Sequence, residues 1–127
     1  MDIDLPEVVA EVRAAFEAYE RALVGNDVAA LDAMFHIDPR TIRFGIVENL
    51  FGYDEIKAFR AARSSRDLAR TLSQTVITTY GRDVAVASTL FHRATALGKV
   101  GRQMQTWVRF PEGWRVVAAH VSVIAEG

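Results

Sequence analysis

The C-terminal half of the chain consists of four long β-strand patterns in succession. They are rich in Val, Thr, Ile and aromatic residues, the composition typical of strands. They cover residues 71–80, 84–96, 102–110 and 114–124. The turns between them are short and contain glycine, and turns of this kind join neighbouring antiparallel strands. This half of the chain therefore predicts an antiparallel meander.

The N-terminal half is predicted to be mainly helical. Pro6 suits the first turn of a helix, and apolar residues follow at helical spacing as far as Gly25 and Asn26. Asp27 is predicted to cap a second, shorter helix, and a third should run from Tyr53 to about residue 64. One or two short strands are expected between residues 41 and 48.

This order of elements predicts a single α+β domain over residues 1–127. Three N-terminal helices should pack into a strongly curved antiparallel sheet, forming a cone with an internal pocket at its open end. The outer face of such a sheet carries Val, Thr and Trp residues that one helical layer cannot cover. A homodimer is therefore expected, because large exposed apolar areas usually mark interfaces.

Composition excludes several classes of function. The net charge is −1 with no basic stripe, which argues against a nucleic-acid partner. The absence of cysteine excludes disulfides, thiolate metal ligands and a cysteine nucleophile, and the three histidines lack metal-ligand spacing. No phosphate-binding glycine loop is present, which argues against a nucleotide. Neither a metal nor a cofactor is therefore expected. Without an apolar signal peptide or a membrane-length segment, we expect a cytoplasmic protein with no membrane partner.

Three arginines lie among apolar residues. Arg43 interrupts the short strand pattern at residues 41–45, while Arg60 and Arg63 share a helical stripe with Ile56 and Phe59. A guanidinium that points toward a core needs an anionic partner, and few carboxylates lie on these faces. The pattern therefore predicts a pocket for a small anionic ligand.

Tyr19 lies on the apolar stripe of the first helix. Two interpretations follow from that position. The tyrosine is either a core residue whose hydroxyl finds a polar partner, or a proton donor that projects into the cavity.

Four residues interrupt the otherwise apolar strands of the last hairpin: Gln105, Trp107, His120 and Ser122. Their orientation depends on the turn. A two-residue turn at Glu112 and Gly113 places Gln105 opposite His120, whereas a three-residue turn places Met104 there. Two roles are therefore considered for these four side chains: hydrogen bonding within the core, or contact with a ligand.

Several motifs together resemble the AtzH-like family, also described as HpxZ-type oxalurate catabolism proteins, within the SnoaL-like and ketosteroid-isomerase-like cone folds. They are Tyr19-Glu20, residues 42–45 with Glu48 and Gly52, residues 59–63, residues 101–107 and residues 113–122. The similarity covers nearly the whole chain. Met104 departs from the family pattern, in which a small polar residue is usual.

The resemblance implies a cofactor-free decarboxylase of a small carboxylated urea, such as one that converts 1,3-dicarboxyurea to allophanate. Tyr19 and Arg43 would be its catalytic pair. We expect the substrate-binding residues to be Arg60, Arg63, Gln105, Trp107, His120 and Ser122.

Two other functions are considered. One is a ketosteroid-isomerase-like isomerase or dehydratase, for which Glu48, Asp38 or His120 would have to serve as the base. The other is a non-catalytic ligand-binding partner of an amidohydrolase in oxalurate or ureide catabolism.

Overall fold

The structure, a computed structural model, describes all residues from Met1 to Gly127. Three helices and six strands follow one another in the predicted order. The helices are α1 (Pro6–Val24), α2 (Val28–Met34) and α3 (Tyr53–Ala62). The strands are β1 (Ile42–Phe44), β2 (Asn49–Phe51), β3 (Thr71–Tyr80), β4 (Val84–His92), β5 (Lys99–Phe110) and β6 (Gly113–Ala125). β4 ends before the predicted position because residues 93–98 form turns.

The helix ends follow their local sequence signals. Pro6 is the first residue of α1, and the Asp27 side chain accepts a hydrogen bond from the Ala30 amide at 3.1 Å, as the capping pattern predicts. α3 ends at Ala62, earlier than predicted, and Arg63 already has extended backbone angles. Arg63 therefore leaves the helical stripe that it was predicted to share with Arg60.

The six strands form one sheet in the order β2-β1-β6-β5-β4-β3. The meander from β3 to β6 is antiparallel, as predicted. β1 instead pairs with β6 in parallel, with Ile42 opposite Ala118, so the whole sheet is mixed. A parallel pair needs a long connection, and the chain from β1 to β6 contains α3 and four strands.

The register of the last hairpin is set by a bulge as well as by its turn. Phe110 pairs with Gly113 across the turn, whereas Thr106 pairs with Ala118, so one extra residue of β6 is accommodated between them. Met104 consequently lies opposite His120, and the predicted alternative with Gln105 opposite His120 is wrong. The bulge could not be derived from turn length alone.

The helices pack on the inner face of the sheet and form the predicted α+β cone. The core joins apolar residues of α1 and α2 to inward residues of the four long strands. Its largest fully buried side chains include Trp107, Phe35 and Phe91. None of the helices has both the length and the apolar character that a membrane crossing requires.

Candidate functional site

A cavity of about 190 Å³ lies between the helices and the inner face of the sheet. Four arginines line it: Arg43, Arg63, Arg70 and Arg93. Its volume is below the roughly 300–1,000 Å³ of pockets that bind drug-sized ligands, so the cavity suits a small metabolite. Its four arginines make the cavity wall cationic.

Arg43 is oriented by Glu48. The Arg43 Nη1 atom donates to Glu48 Oε1 at 2.8 Å, and the Val47 amide donates to Glu48 Oε2 at 3.1 Å. Gly45 makes room for this arrangement, because a Cβ at position 45 would overlap the Glu48 carboxylate. The turn after β1 thus folds one carboxylate back onto Arg43, whose other donors remain available to a ligand.

Arg70 is oriented by Glu20 and Gln103. Its Nε and Nη2 atoms donate to the two Glu20 carboxylate oxygens at 2.9 and 2.6 Å, and Nη2 also donates to Gln103 Oε1 at 2.9 Å. The guanidinium lies over the Phe91 ring, 4.5 Å from its centroid, and that of Arg93 lies 4.7 Å from the same centroid. Two cations therefore share one aromatic platform.

Several buried donors in the cavity wall have no hydrogen-bond partner in the protein. They are Arg63 Nε and Nη2, Arg93 Nε and Gln103 Nε2. Burial, together with neighbouring arginines, lowers the pKa of both Arg63 and Arg93 from the usual arginine value. Because unpartnered buried donors are costly, the wall is complementary to a ligand rich in acceptor oxygens.

Tyr19 projects from α1 into the same cavity. Its ring is held between Phe35, 6.1 Å away, and Trp107, 6.3 Å away with an edge-on geometry. Of the three tyrosines, only Tyr53 donates its hydroxyl to a protein group, the Asp32 carbonyl at 3.0 Å. The Tyr19 hydroxyl is therefore free to donate to a ligand.

The sequence profile of AtzH-like proteins matches residues 1–127. The chain belongs to the AtzH-like family. The crystal structure of a protein of unknown function from Pectobacterium atrosepticum is 59% identical, with a TM-score of 0.95 and coverage of 98% of this chain and 96% of that chain. A cystatin-like fold protein from Burkholderia xenovorans is 47% identical, with a TM-score of 0.94 and coverage of 98% of both chains.

The similarity to more distantly related structures shows a shared fold and nothing more. A proposed dehydratase of the NTF2-like family from Streptomyces avermitilis is 17% identical, with a TM-score of 0.76. The match covers 93% of this chain and 97% of that chain. Among functionally curated proteins, none matches the sequence. These comparisons identify an AtzH-like protein with an NTF2-like cone fold.

Two of the predicted ligand contacts of this AtzH-like protein lie on the wrong face of the sheet. His120 is exposed on the outer face, and Ser122 accepts a hydrogen bond there from Arg102 Nε at 3.1 Å. Both residues border a shallow outer hollow rather than the arginine cavity. Their prediction as pocket residues was wrong because the bulge in β6 sets which residues of that strand face inward.

Arg60 is buried as predicted, but it does not line the cavity. Its Nη1 atom donates to Asp32 Oδ1 at 3.0 Å, and its guanidinium lies 4.8 Å from the Phe35 ring centroid. The sequence pattern missed this partner because Asp32 comes from α2, a different element. Arg60 is therefore a structural residue, and its prediction as a substrate contact is corrected.

Gln105 and Trp107 face inward but lie behind the cavity wall. Trp107 Nε1 donates to Gln105 Oε1 at 3.1 Å, and both side chains are almost completely buried. Neither lines the cavity, so Trp107 contributes by packing against Tyr19 rather than by direct contact with a ligand.

Arg70, Arg93 and Gln103 were missed as site residues. Strand alternation could have identified Arg93, because it continues the inward-facing series that includes Phe91. Arg70 lies immediately before β3, so strand alternation could not indicate that its side chain faces the cavity.

The acidic residues of the chain do not form a metal centre. No group of three or more His, Asp or Glu side chains is clustered in a way that could hold a metal ion. Of the proposed bases, only Glu48 lines the cavity. Asp38 lies elsewhere, and hydrogen bonds from Arg40 hold the pKa of its carboxyl well below the usual range.

Proposed function

We propose that the protein is a cofactor-free decarboxylase of a small carboxylated urea, such as 1,3-dicarboxyurea, which it would convert to allophanate. The observation that carries the proposal is the cavity's excess of cationic donors. Two of its four arginines bind glutamates, and two, Arg63 and Arg93, have no carboxylate partner. A small dianion would supply two negative charges and the acceptor oxygens that the wall lacks.

The chemistry requires one positioned acid. Arg43 and Arg63 would hold the reacting carboxylate, since a planar guanidinium can bind a carboxylate through two hydrogen bonds. The carbon–nitrogen bond of that carboxylate breaks, carbon dioxide leaves, and the bonding electron pair stays on nitrogen. The nitrogen takes the proton of the Tyr19 hydroxyl, and the tyrosinate regains a proton from water. General-acid help of this kind typically contributes about 10²- to 10⁴-fold in rate.

Isomerase or dehydratase chemistry has weaker support in the site. It would need a free base in the cavity, and the Glu48 carboxylate there is engaged by Arg43 and by the Val47 amide. The Streptomyces avermitilis protein supports a dehydratase only as an analogy of fold. A non-catalytic role beside an amidohydrolase would use the same cavity without turnover.

The test is carbon dioxide release from freshly generated 1,3-dicarboxyurea, with the spontaneous rate subtracted. Wild-type protein should exceed the background, and Tyr19→Phe should lose about 10²- to 10⁴-fold in kcat. Tyr53→Phe is the matched control, because its hydroxyl binds a backbone carbonyl outside the cavity. A wild-type rate equal to the background would support the non-catalytic role, and a fully active Tyr19→Phe would refute the assigned acid.

A further inference from the structure

The four cavity arginines form two similar pairs, each with one arginine bound to a glutamate and one that is not. In the first pair, Arg43 is bound to a glutamate at 2.8 Å and Arg63 is not. In the second pair, Arg70 is bound to a glutamate at 2.6 Å and Arg93 is not. Each pair therefore combines one neutralised guanidinium with one that lacks an anion.

The two pairs form separate electrostatic groups. Burial is the main cause of the lowered pKa of both unpaired arginines. Beyond burial, Arg60 and Arg43 lower the pKa of Arg63, whereas Arg70 lowers the pKa of Arg93. The Arg43 guanidinium lies 5.8 Å from the Phe59 ring centroid, whereas those of Arg70 and Arg93 lie 4.5 and 4.7 Å from the Phe91 ring centroid. The cavity thus has two cationic ends, each beside its own aromatic ring.

Tyr19 belongs to the first of these ends. It lines the cavity together with Arg63 and raises the pKa of that arginine. The second end instead contains the Phe91 ring, with both guanidinium groups within 4.7 Å of its centroid, and the unpartnered Gln103 Nε2. It offers charge and hydrogen-bond donors but no proton-donating hydroxyl of a tyrosine.

We infer that Arg70, Arg93 and Gln103 form a second carboxylate subsite that holds the carboxylate that does not react. The inference rests on the proposed function, and it adds the residues that make the protein specific for dicarboxylates. The Arg70 guanidinium is fixed by Glu20, so it offers a preorganised surface, while Arg93 supplies the unneutralised charge.

This subsite also explains why decarboxylation would stop after one step. The product of the first step has only one carboxylate. If that carboxylate bound beside Tyr19, the second subsite would be empty and its binding energy would be lost from the transition state. The second arginine pair therefore discriminates against the product as a further substrate.

The test compares two non-reacting ligands of equal size by titration calorimetry. Glutarate has two carboxylates joined by a three-atom spacer, as in 1,3-dicarboxyurea, and glutaramate has a neutral amide in place of one carboxylate. Wild-type protein should bind glutarate at least about tenfold more tightly, because charge-assisted hydrogen bonds are the stronger ones. Arg93→Gln should remove most of that preference and change glutaramate affinity only a few-fold.

Arg102→Gln is the control, since Arg102 is an exposed arginine on the outer face of the same sheet. It should keep the full preference for glutarate. Arg93→Lys should retain part of the preference, because it keeps the charge but not the planar donors. An Arg93→Gln variant that keeps the wild-type preference, or that loses both ligands equally, would overturn the inference.

Failure of the proposed function gives a different result. A preference for glutarate that depends on Arg93, without carbon dioxide release, would keep the second subsite and reject decarboxylation. Carbon dioxide release with an unchanged preference in Arg93→Gln would keep decarboxylation and reject the subsite.

Discussion

The Phe91 ring lies directly over Gly101, its partner across β4 and β5. A Cβ at position 101 would overlap the outer half of that ring. The same ring supports the guanidinium groups of Arg70 and Arg93, so the missing side chain at position 101 determines where two cavity arginines lie. A glycine on one strand thereby sets the geometry of a candidate site contributed by other segments.

Gly101→Ala should therefore weaken ligand binding as well as stability. The added methyl group must displace Phe91, and overpacking of this kind costs about 1–3 kcal/mol of unfolding free energy. Displacement of the ring should also raise the Kd for glutarate by about tenfold or more, since Arg70 and Arg93 lose their platform. Urea unfolding and calorimetry measure the two effects.

The double variant Gly101→Ala/Phe91→Leu separates the two effects. The smaller leucine should relieve the overlap and restore part of the lost stability, without restoring glutarate affinity. Recovery of both properties would show that the aromatic ring itself contributes nothing to the site.

Arg60→Ala should destabilise the protein rather than act on a ligand. Arg60 is buried, with 3% of its side chain exposed, and its removal leaves the Asp32 carboxylate without its cation. Breaking a buried pair from one side costs about 3–5 kcal/mol. The double variant Arg60→Ala/Asp32→Ala should regain part of this loss in urea unfolding. A stable Arg60→Ala with reduced glutarate affinity would contradict the assignment.

Sequence reasoning identified Arg60 and Arg63 as candidate site residues but not their different roles. Arg60 and Arg63 are three positions apart, and helical spacing predicted one common face. The helix ends between them, and Asp32 of another helix neutralises only Arg60. A partner from a distant segment could not be read from spacing within α3.

Strand patterns predicted the elements better than their pairings. The four long strands and the antiparallel meander were recognisable from composition and turn signals. The parallel pairing of β1 with β6 and the bulge in the last hairpin depend on tertiary contacts. Tyr19 and Arg43 line one cavity, as predicted, although the position of Arg43 depends on the pairing of β1 with β6.

Arg63→Met should stabilise the ligand-free protein. Burial lowers the pKa of Arg63 in the folded state, so its charge opposes folding. Because arginine stays protonated in proteins between about pH 6 and 9, this cost is present throughout that range. Removing the charge should add about 0.5–2 kcal/mol, independent of pH in that range. Thermal unfolding at several pH values measures the gain.

The same variant should lose the response to ligand. Saturation at one hundred times the dissociation constant should add about 2.7 kcal/mol to wild-type stability. Arg63→Met should show a much smaller gain at the same glutarate concentration. A ligand-free variant that unfolds at a lower temperature than wild type would contradict the view that Arg63 is held for binding at the expense of stability.

We propose that the outer face of the sheet forms a homodimer interface. Registered pairs across four strands align Val76, Ser88, Met104 and His120 in one row on that face. Val76 and Met104 are 57% and 56% exposed, which leaves apolar area without a covering layer.

Met104→Asp should place a charge in the centre of the interface and convert the dimer to a monomer in light scattering at micromolar concentration. Ligand affinity should change little, because Met104 points away from the arginine cavity. The exposed Leu97→Asp, in the turn after β4, is the control and should leave the mass unchanged. A wild-type protein with a monomer mass would reject the interface.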